Sequence, residues 1–336
     1  MLYADAALEK IIEENQLILT VYSQYLNHTP RFLTSELVEN LAKECEISNH
    51  EAFLALFGAA LGLDCAESRE HRRLEQIYLR AGISCQDPDV YRGNEYYKTI
   101  KFPSVRKGNW EMKHGSYAPY EPFVRTHPVL TKELREIPQI GYFEEEFPFP
   151  AILEDGVEWM TVTPNEIETM KEPIQRARGR VLTLGLGLGY FAFCASQKEE
   201  VTEVTVIEQD GNVISLVREH LLPQFPHREK IRIVQADAFD FLERTNLSGQ
   251  FDYLFSDLWH DASDGLEMYI RIKKLLQKHP TLPRDYWIEP SLLSALRNLV
   301  YEKLTEQGDA LQKLGKPMAD FLSDDFLRQL EPELKE

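Results

Sequence analysis

Cysteine is scarce in this sequence, and its placement is as telling as its number. The four residues, Cys45, Cys65, Cys85 and Cys194, form no C-x-x-C pair and have no histidine at metal-ligand spacing. That argues against a disulfide framework or a zinc site and makes a reducing, cytoplasmic compartment the expectation. Positive charge is also short: 37 Lys and Arg face 55 Asp and Glu, for a net charge of −18 over 336 residues. Proteins that grip nucleic-acid backbones draw their affinity from clustered cations, so nucleic acid is not an expected partner. Long apolar runs are missing too. The longest, residues 52–63, is about half of the roughly 20 residues a membrane span needs. The N-terminal stretch lacks a basic start followed by an apolar segment, so no secretory leader is expected.

What remains is ordinary globular composition, 43% hydrophobic and 27% charged, at a length that suggests about two domains. Residues 1–90 read as an N-terminal helical domain. Leu8, Ile11, Ile12, Leu19, Tyr22 and Leu26 recur at helical spacing. Ser48-x-x-Glu51 is a capping-box pattern in front of the apolar run 52–63, and a helix over 68–80 would stop at Gly82. These helices are also the expected surface for a homo-oligomer. Residues 91–150 change character, with seven cations and three acids between Tyr91 and Arg125. Tyr91, Tyr96, Tyr97, Phe102, Trp110, Tyr117, Tyr120 and Phe123 are interleaved with them. Aromatics beside cations can stack on flat or anionic ligands. They can equally pack a loop-rich connector onto its neighbours, and the acidic remainder of the chain favours that reading. Phe147-Pro148-Phe149-Pro150 marks a boundary.

From residue 151 to 290 strands alternate with helices. Thr163-Pro164-Asn165-Glu166 supplies an N-cap, a proline at the first helical position and a glutamate at the third, predicting a helix over 164–177. Strands are expected at 181–185, 204–208, 231–235, 251–257 and 285–289, with helices at 190–197, 211–220 and 265–277. This pattern means the α/β class, a Rossmann-like, doubly wound and mostly parallel sheet. Residues 291–336 read as C-terminal helices ending in an acidic, solvated tail, with no sign of a sixth or seventh strand.

The sharpest local feature is Val181-Leu182-Thr183-Leu184-Gly185-Leu186-Gly187-Leu188-Gly189, an apolar strand that runs into alternating glycines. Glycines let the backbone turn tightly and let a ligand approach without a Cβ in the way. Nineteen residues after Gly189, Glu208 closes the next strand, where a carboxylate can accept both hydroxyls of an adenosine ribose. Gly187-x-Gly189-x-x-Ala192 also fits a nicotinamide-dinucleotide fingerprint. Asp237 and Ala238, after the third strand, tip the balance, because an acid or amide there can read an adenine edge.

On these segments, VLTLGLGLG, VTVIEQD and VQADAFDFL, the chain resembles the class I S-adenosylmethionine-dependent methyltransferases, including their spermidine-synthase-like branch. The resemblance covers residues 155–290. It implies S-adenosylmethionine as cofactor, with Gly185, Gly187 and Gly189 facing its methionine portion and ribose, Glu208 holding the ribose hydroxyls, and Asp237 with Ala238 the adenine. Two positions depart from the pattern: Thr183 stands where many methyltransferases carry an acid, and Leu188 where spermidine synthases place an aspartate.

The fourth strand ends in Ser256-Asp257-Leu258-Trp259-His260-Asp261. In an open α/β sheet the substrate sits outside the carboxyl ends of the strands, so Asp257 is a candidate to hold or deprotonate an acceptor and His260 a candidate base near neutral pH. The D-x-W-x-D spacing resembles the metal segment of catechol-type O-methyltransferases, but Trp287-Ile288-Glu289-Pro290 stands where those enzymes add an Asp-Asn pair. No metal is therefore expected. Thr163 is expected only to cap a helix, Trp159 to lie in the core, and His114 and His127 to be without a catalytic role. The expected activity is methyl transfer to an unidentified small-molecule acceptor. Aminopropyl transfer and a non-catalytic, cofactor-binding scaffold are the alternatives.

Overall fold

A computed structural model describes residues 6–306 and 317–330; the end of the acidic tail, 331–336, lies outside them. The chain clusters into two compact units that do not follow the expected segments. One comprises residues 6–88, 116–147, 293–306 and 317–330 of the described chain, the other 89–115 and 148–292. Residues 6–88 are thus joined by strands and helices from far along the sequence.

In the first unit, helices Ala6–His28 and Asn49–Ala60 form where the sequence places them, with a further helix, Ser35–Cys45, between them. Ser48 caps Asn49–Ala60, its hydroxyl accepting from the Glu51 N–H at 3.2 Å. The stretch expected over 68–80 is helical from Arg69 to Gly82, with a π-turn at Glu75–Leu79. A three-stranded sheet then follows the order Ile83–Cys85, Glu136–Tyr142, Phe123–Leu130. Its core is aromatic: Phe53 stacks on Tyr142 with ring centroids 4.0 Å apart, and Phe57 meets the edges of Tyr22 and Tyr25. Arg297 and Glu136, both buried, form an ion pair that Asp324 and Ser294 extend.

The second unit carries the five-stranded, all-parallel sheet in the order Ile231–Gln235, Val201–Glu208, Gly179–Leu184, Tyr253–Ser256, Arg284–Tyr286. Buried Val181, Leu182, Val204, Val206, Leu254 and Phe255 line it on both faces, as near-continuous apolar strands require. Two expected elements are corrected. The helix over 164–177 breaks into Pro164–Thr169 and Lys171–Arg176, because Pro173 has no N–H to give the Thr169 carbonyl. The last strand is only Arg284–Tyr286, and Glu289 already begins the helix Glu289–Glu306.

The expected connector, 91–150, is not loop-rich. It forms the short helix Glu95–Thr99 and the strands Val105–Lys107, Trp110–Tyr117, Phe123–Leu130, Glu136–Tyr142 and Phe147–Glu154. Phe147-Pro148-Phe149-Pro150 is strand, and the division between the two units falls within it, after Phe147. That strand belongs to a four-stranded sheet, where its antiparallel partner is Val157–Thr161. No described helix is long and apolar enough to cross a membrane.

Candidate active site

The order of the parallel sheet reverses beside its central strand. From Gly179–Leu184 the chain winds outward through two strands on one side, then returns to place Tyr253–Ser256 on the other. A crevice opens between the carboxyl ends of two strands whose connections diverge in this way. Gly185 leaves one of those strands and Asp257 the other. The Gly185 N–H donates to the Ile207 carbonyl at 2.8 Å, and the Asp257 N–H to the Leu184 carbonyl at 2.9 Å.

The three glycines are required for different reasons. Gly185 has φ +93°, and a Cβ there would lie 1.9 Å from the Asp257 carbonyl oxygen. Gly189 has φ +75°, and its Cβ would come within 2.9 Å of the Phe225 ring. Gly187, at φ +52°, faces more room, its nearest neighbour being the Met160 Sδ at 3.6 Å. The residues between them turn inward: Leu186 and Leu188 are buried.

Glu208 is tied directly to this loop. Its carboxylate accepts from the Leu186 N–H at 3.2 Å and from the Asp210 N–H at 2.8 Å. Burial raises its pKa, and those backbone donors oppose the rise. The Glu208 carbonyl in turn accepts from the Ala236 N–H at 2.9 Å, which brings the end of the third strand alongside. Asp237 follows, exposed, and caps the helix Ala238–Arg244 by accepting from the Asp240 N–H at 2.9 Å. Ala238 is buried behind it.

Asp257 is half-buried, and no donor among the described residues reaches its carboxylate. Burial, and secondarily the charge of Glu166, push its pKa up to about 8. Glu166 is itself raised by burial. It is fixed by the Thr163 N–H at 2.8 Å, the Thr161 hydroxyl at 2.7 Å and the Thr163 hydroxyl. The spacing Thr163-x-x-Glu166 marks this glutamate only as a helix cap; its second role depends on where the fourth strand ends.

His260 is exposed, with its Nδ1 3.8 Å from the Asp261 carboxylate. Asp261 caps the helix Ala262–Leu276, accepting from the Ser263 N–H at 2.7 Å. Trp259 is buried and donates its indole N–H to the Trp287 carbonyl at 3.2 Å. Among the described residues no group of three or more His, Cys, Asp or Glu is arranged to hold a metal ion. Thr183, at the position of the missing acid, is 2% exposed between Val206 and Phe255 in the sheet and cannot reach a ligand.

Trp159, expected in the core, is instead 44% exposed, and its indole lies 5.9 Å from the His260 ring. It belongs to a hairpin that the sequence reading missed. Asp155 and Gly156, at φ +50° and +85°, make a tight turn between Phe147–Glu154 and Val157–Thr161. Asp-Gly between two apolar runs is the signal that would have found it.

The aromatic segment supplies a brace. Tyr96 is fully buried and donates its hydroxyl to the Leu188 carbonyl at 2.7 Å, and its ring meets Tyr190, Phe193 and Phe225 edge to face. Trp110 donates to the Asp210 carboxylate at 3.2 Å, and Lys107 pairs with Glu219 at 2.8 Å. Both contacts pack this segment onto the Rossmann sheet's own loops and helices.

No family model matches the chain, and no curated protein matches it in sequence. Among solved structures, part of it is similar to a candidate O-methyltransferase from Klebsiella pneumoniae, at 20% identity and a TM-score of 0.24, over 30% of this chain and 43% of that one. Part is similar to the spermidine synthase of Thermotoga maritima, at 18% identity and a TM-score of 0.30, over 38% and 49%. A spermidine synthase in complex with the transition-state analogue AdoDATO gives 18% and 0.29, over 38% and 48%. The chain thus spans less than half the length of each. The order of the parallel sheet, with its glycine loop and the acid closing the second strand, is that of a Rossmann-like α/β fold.

Proposed function

We propose that this chain is a cytoplasmic S-adenosylmethionine-dependent methyltransferase acting on a small-molecule acceptor. The observation that carries the reading is the join of Glu208 to the glycine loop through the Leu186 N–H. It sets the acid that closes the second strand beside three left-handed glycines, which supports a role for it in holding a ribose. The residues suit such a cofactor: Gly187 is less crowded than Gly185 and Gly189, with only the Met160 sulfur near an added Cβ, and Glu208 presents a carboxylate already oriented by two N–H groups. Gly185, Gly187 and Gly189 would hold the methionine portion and ribose, Glu208 the ribose hydroxyls, and Asp237 with Ala238 the adenine. When bound, the cofactor supplies an electrophilic methyl group on a sulfonium.

The protein's own part is to align the acceptor and manage its proton. Asp257, with no donor to its carboxylate among the described residues, has its hydrogen-bonding capacity free for an acceptor hydroxyl or amine. Its raised pKa suits it to take a proton near neutral pH. His260 stands at the outer side of the same loop as a second proton carrier. Aminopropyl transfer is the second reading, favoured by the Glu166 carboxylate close to Asp257, whose charge would attract an amine.

Isothermal titration with S-adenosylmethionine, its decarboxylated form and NAD separates these classes. Saturable binding of the first, with little of the other two, is the expected result. Binding of NAD alone would overturn both transferase readings, and preference for the decarboxylated form would select the second.

A further inference from the structure

Trp159 occupies an irregular place in its hairpin. Ile152 pairs with Met160, but the next residue, Leu153, pairs with Glu158. Trp159 is therefore the extra residue of a β-bulge. Bulges re-aim side chains, and they concentrate beside active sites. Regular alternation would put consecutive side chains on opposite faces. Here Met160 lies under Gly187 while Trp159 meets His260 on the loop that follows Asp257. The two rings are tilted by 37° and both stay about half exposed, the indole at 44% and the imidazole side chain at 48%. An exposed indole needs explaining in a protein whose three other tryptophans are at most 7% exposed. Val157, at 69%, extends the apolar surface along the same strand.

We propose that Trp159 and His260 form the acceptor subsite, a stacking wall that selects a planar, uncharged ring bearing a hydroxyl or amine. An aromatic face held at a loop tip offers stacking area with little rotamer entropy to lose. The Asp261 carboxylate lies 3.8 Å from Nδ1 of His260, which leaves Nε2 as the ring nitrogen for a polar substituent. The subsite names an acceptor class for the transferase reading and rests on that reading for its role. Its occupancy can nevertheless be measured without cofactor.

The test uses the full chain labelled with ¹⁵N at the indole nitrogens, and three probes: 2-naphthol, its saturated counterpart decahydro-2-naphthol, and butylamine. The chain has four tryptophans, and Trp159→Phe identifies which indole N–H signal is Trp159. The three buried indoles serve as internal controls. 2-Naphthol should move the Trp159 signal and leave the others in place, and decahydro-2-naphthol should not. By calorimetry Trp159→Ala should weaken 2-naphthol binding roughly ten-fold, and Trp159→Phe only about two- to three-fold. Equal binding of the saturated alcohol, unchanged affinity in Trp159→Ala, or movement of the Trp159 signal by butylamine alone would each overturn the subsite. Titrating S-adenosylmethionine into the same proteins keeps the two readings apart. Binding of cofactor without 2-naphthol removes the subsite and spares the transferase; the converse removes the transferase and spares the subsite.

Discussion

The carbonyl oxygen of Asp257 lies where a side chain on Gly185 would begin, 1.9 Å from an added Cβ. The two strands that define the crevice therefore touch backbone to backbone at its floor. Gly185→Ala would meet that carbonyl and also force a Cβ onto φ +93°. It should lower the melting temperature clearly and abolish cofactor binding. A stable Gly185→Ala protein that binds normally would show that the loop can relax away from Asp257. Gly187→Ala makes the milder comparison, since only the Met160 sulfur lies near it.

Asp257 should make stability depend on pH. Its native carboxyl titrates near 8, mainly through burial. Between about pH 4 and 8 the native state thus keeps a proton that the unfolded chain has released. Stability then falls as pH rises through that window, by at most about 1.4 kcal/mol per pH unit from this group. Asp257→Asn removes the dependence. Its urea midpoint should match the wild type near pH 4 and exceed it at about pH 7.5, while turnover falls roughly a hundred-fold or more. A midpoint below the wild type at the higher pH would contradict the assigned burial.

Glu208→Ala removes an acceptor shared by two backbone N–H groups as well as the expected ribose contact. Calorimetry should show S-adenosylmethionine binding at least about ten-fold weaker, the loss of a charge-assisted pair being worth roughly 1.5–3 kcal/mol. Glu208→Gln keeps one amide oxygen for the Leu186 N–H and should fall between the two. Unchanged affinity in the alanine variant would remove Glu208 from the site.

Much of this was legible in the sequence, and the boundary of legibility follows the range of the interactions. Ile231–Gln235 begins and ends where its β-branched run does, and the glycine loop, Glu208 and Asp257 sit at strand ends that local pattern alone locates. Trp159 was misjudged, and the second role of Glu166 beside its cap was missed, because both come from long-range placement. Thr163-x-x-Glu166 is a complete local motif, so nothing in it announces the aspartate ninety-one residues later. The strands between 105 and 154 were missed for a related reason. Prolines and aromatics obscure their alternation, and Phe147–Glu154 keeps its place in a sheet despite prolines at 148 and 150.

Tyr96→Phe deletes one hydroxyl and leaves the buried ring in place. The Leu188 carbonyl would lose its 2.7 Å partner, at a cost of about 1 kcal/mol, with a further penalty if the carbonyl stays dry. Stability should drop modestly and cofactor affinity several-fold. Equal affinity would mean that the glycine loop holds its shape without the brace.

That brace has a practical consequence for dissecting the chain. A fragment starting at residue 151 would retain all five parallel strands and every candidate cofactor residue. It would still discard the tyrosine that fastens the glycine loop and the strands Val105–Lys107 and Trp110–Tyr117, which complete the sheet of the hairpin bearing Trp159. The smallest piece worth expressing for ligand work therefore begins at residue 89, where the compact unit itself begins.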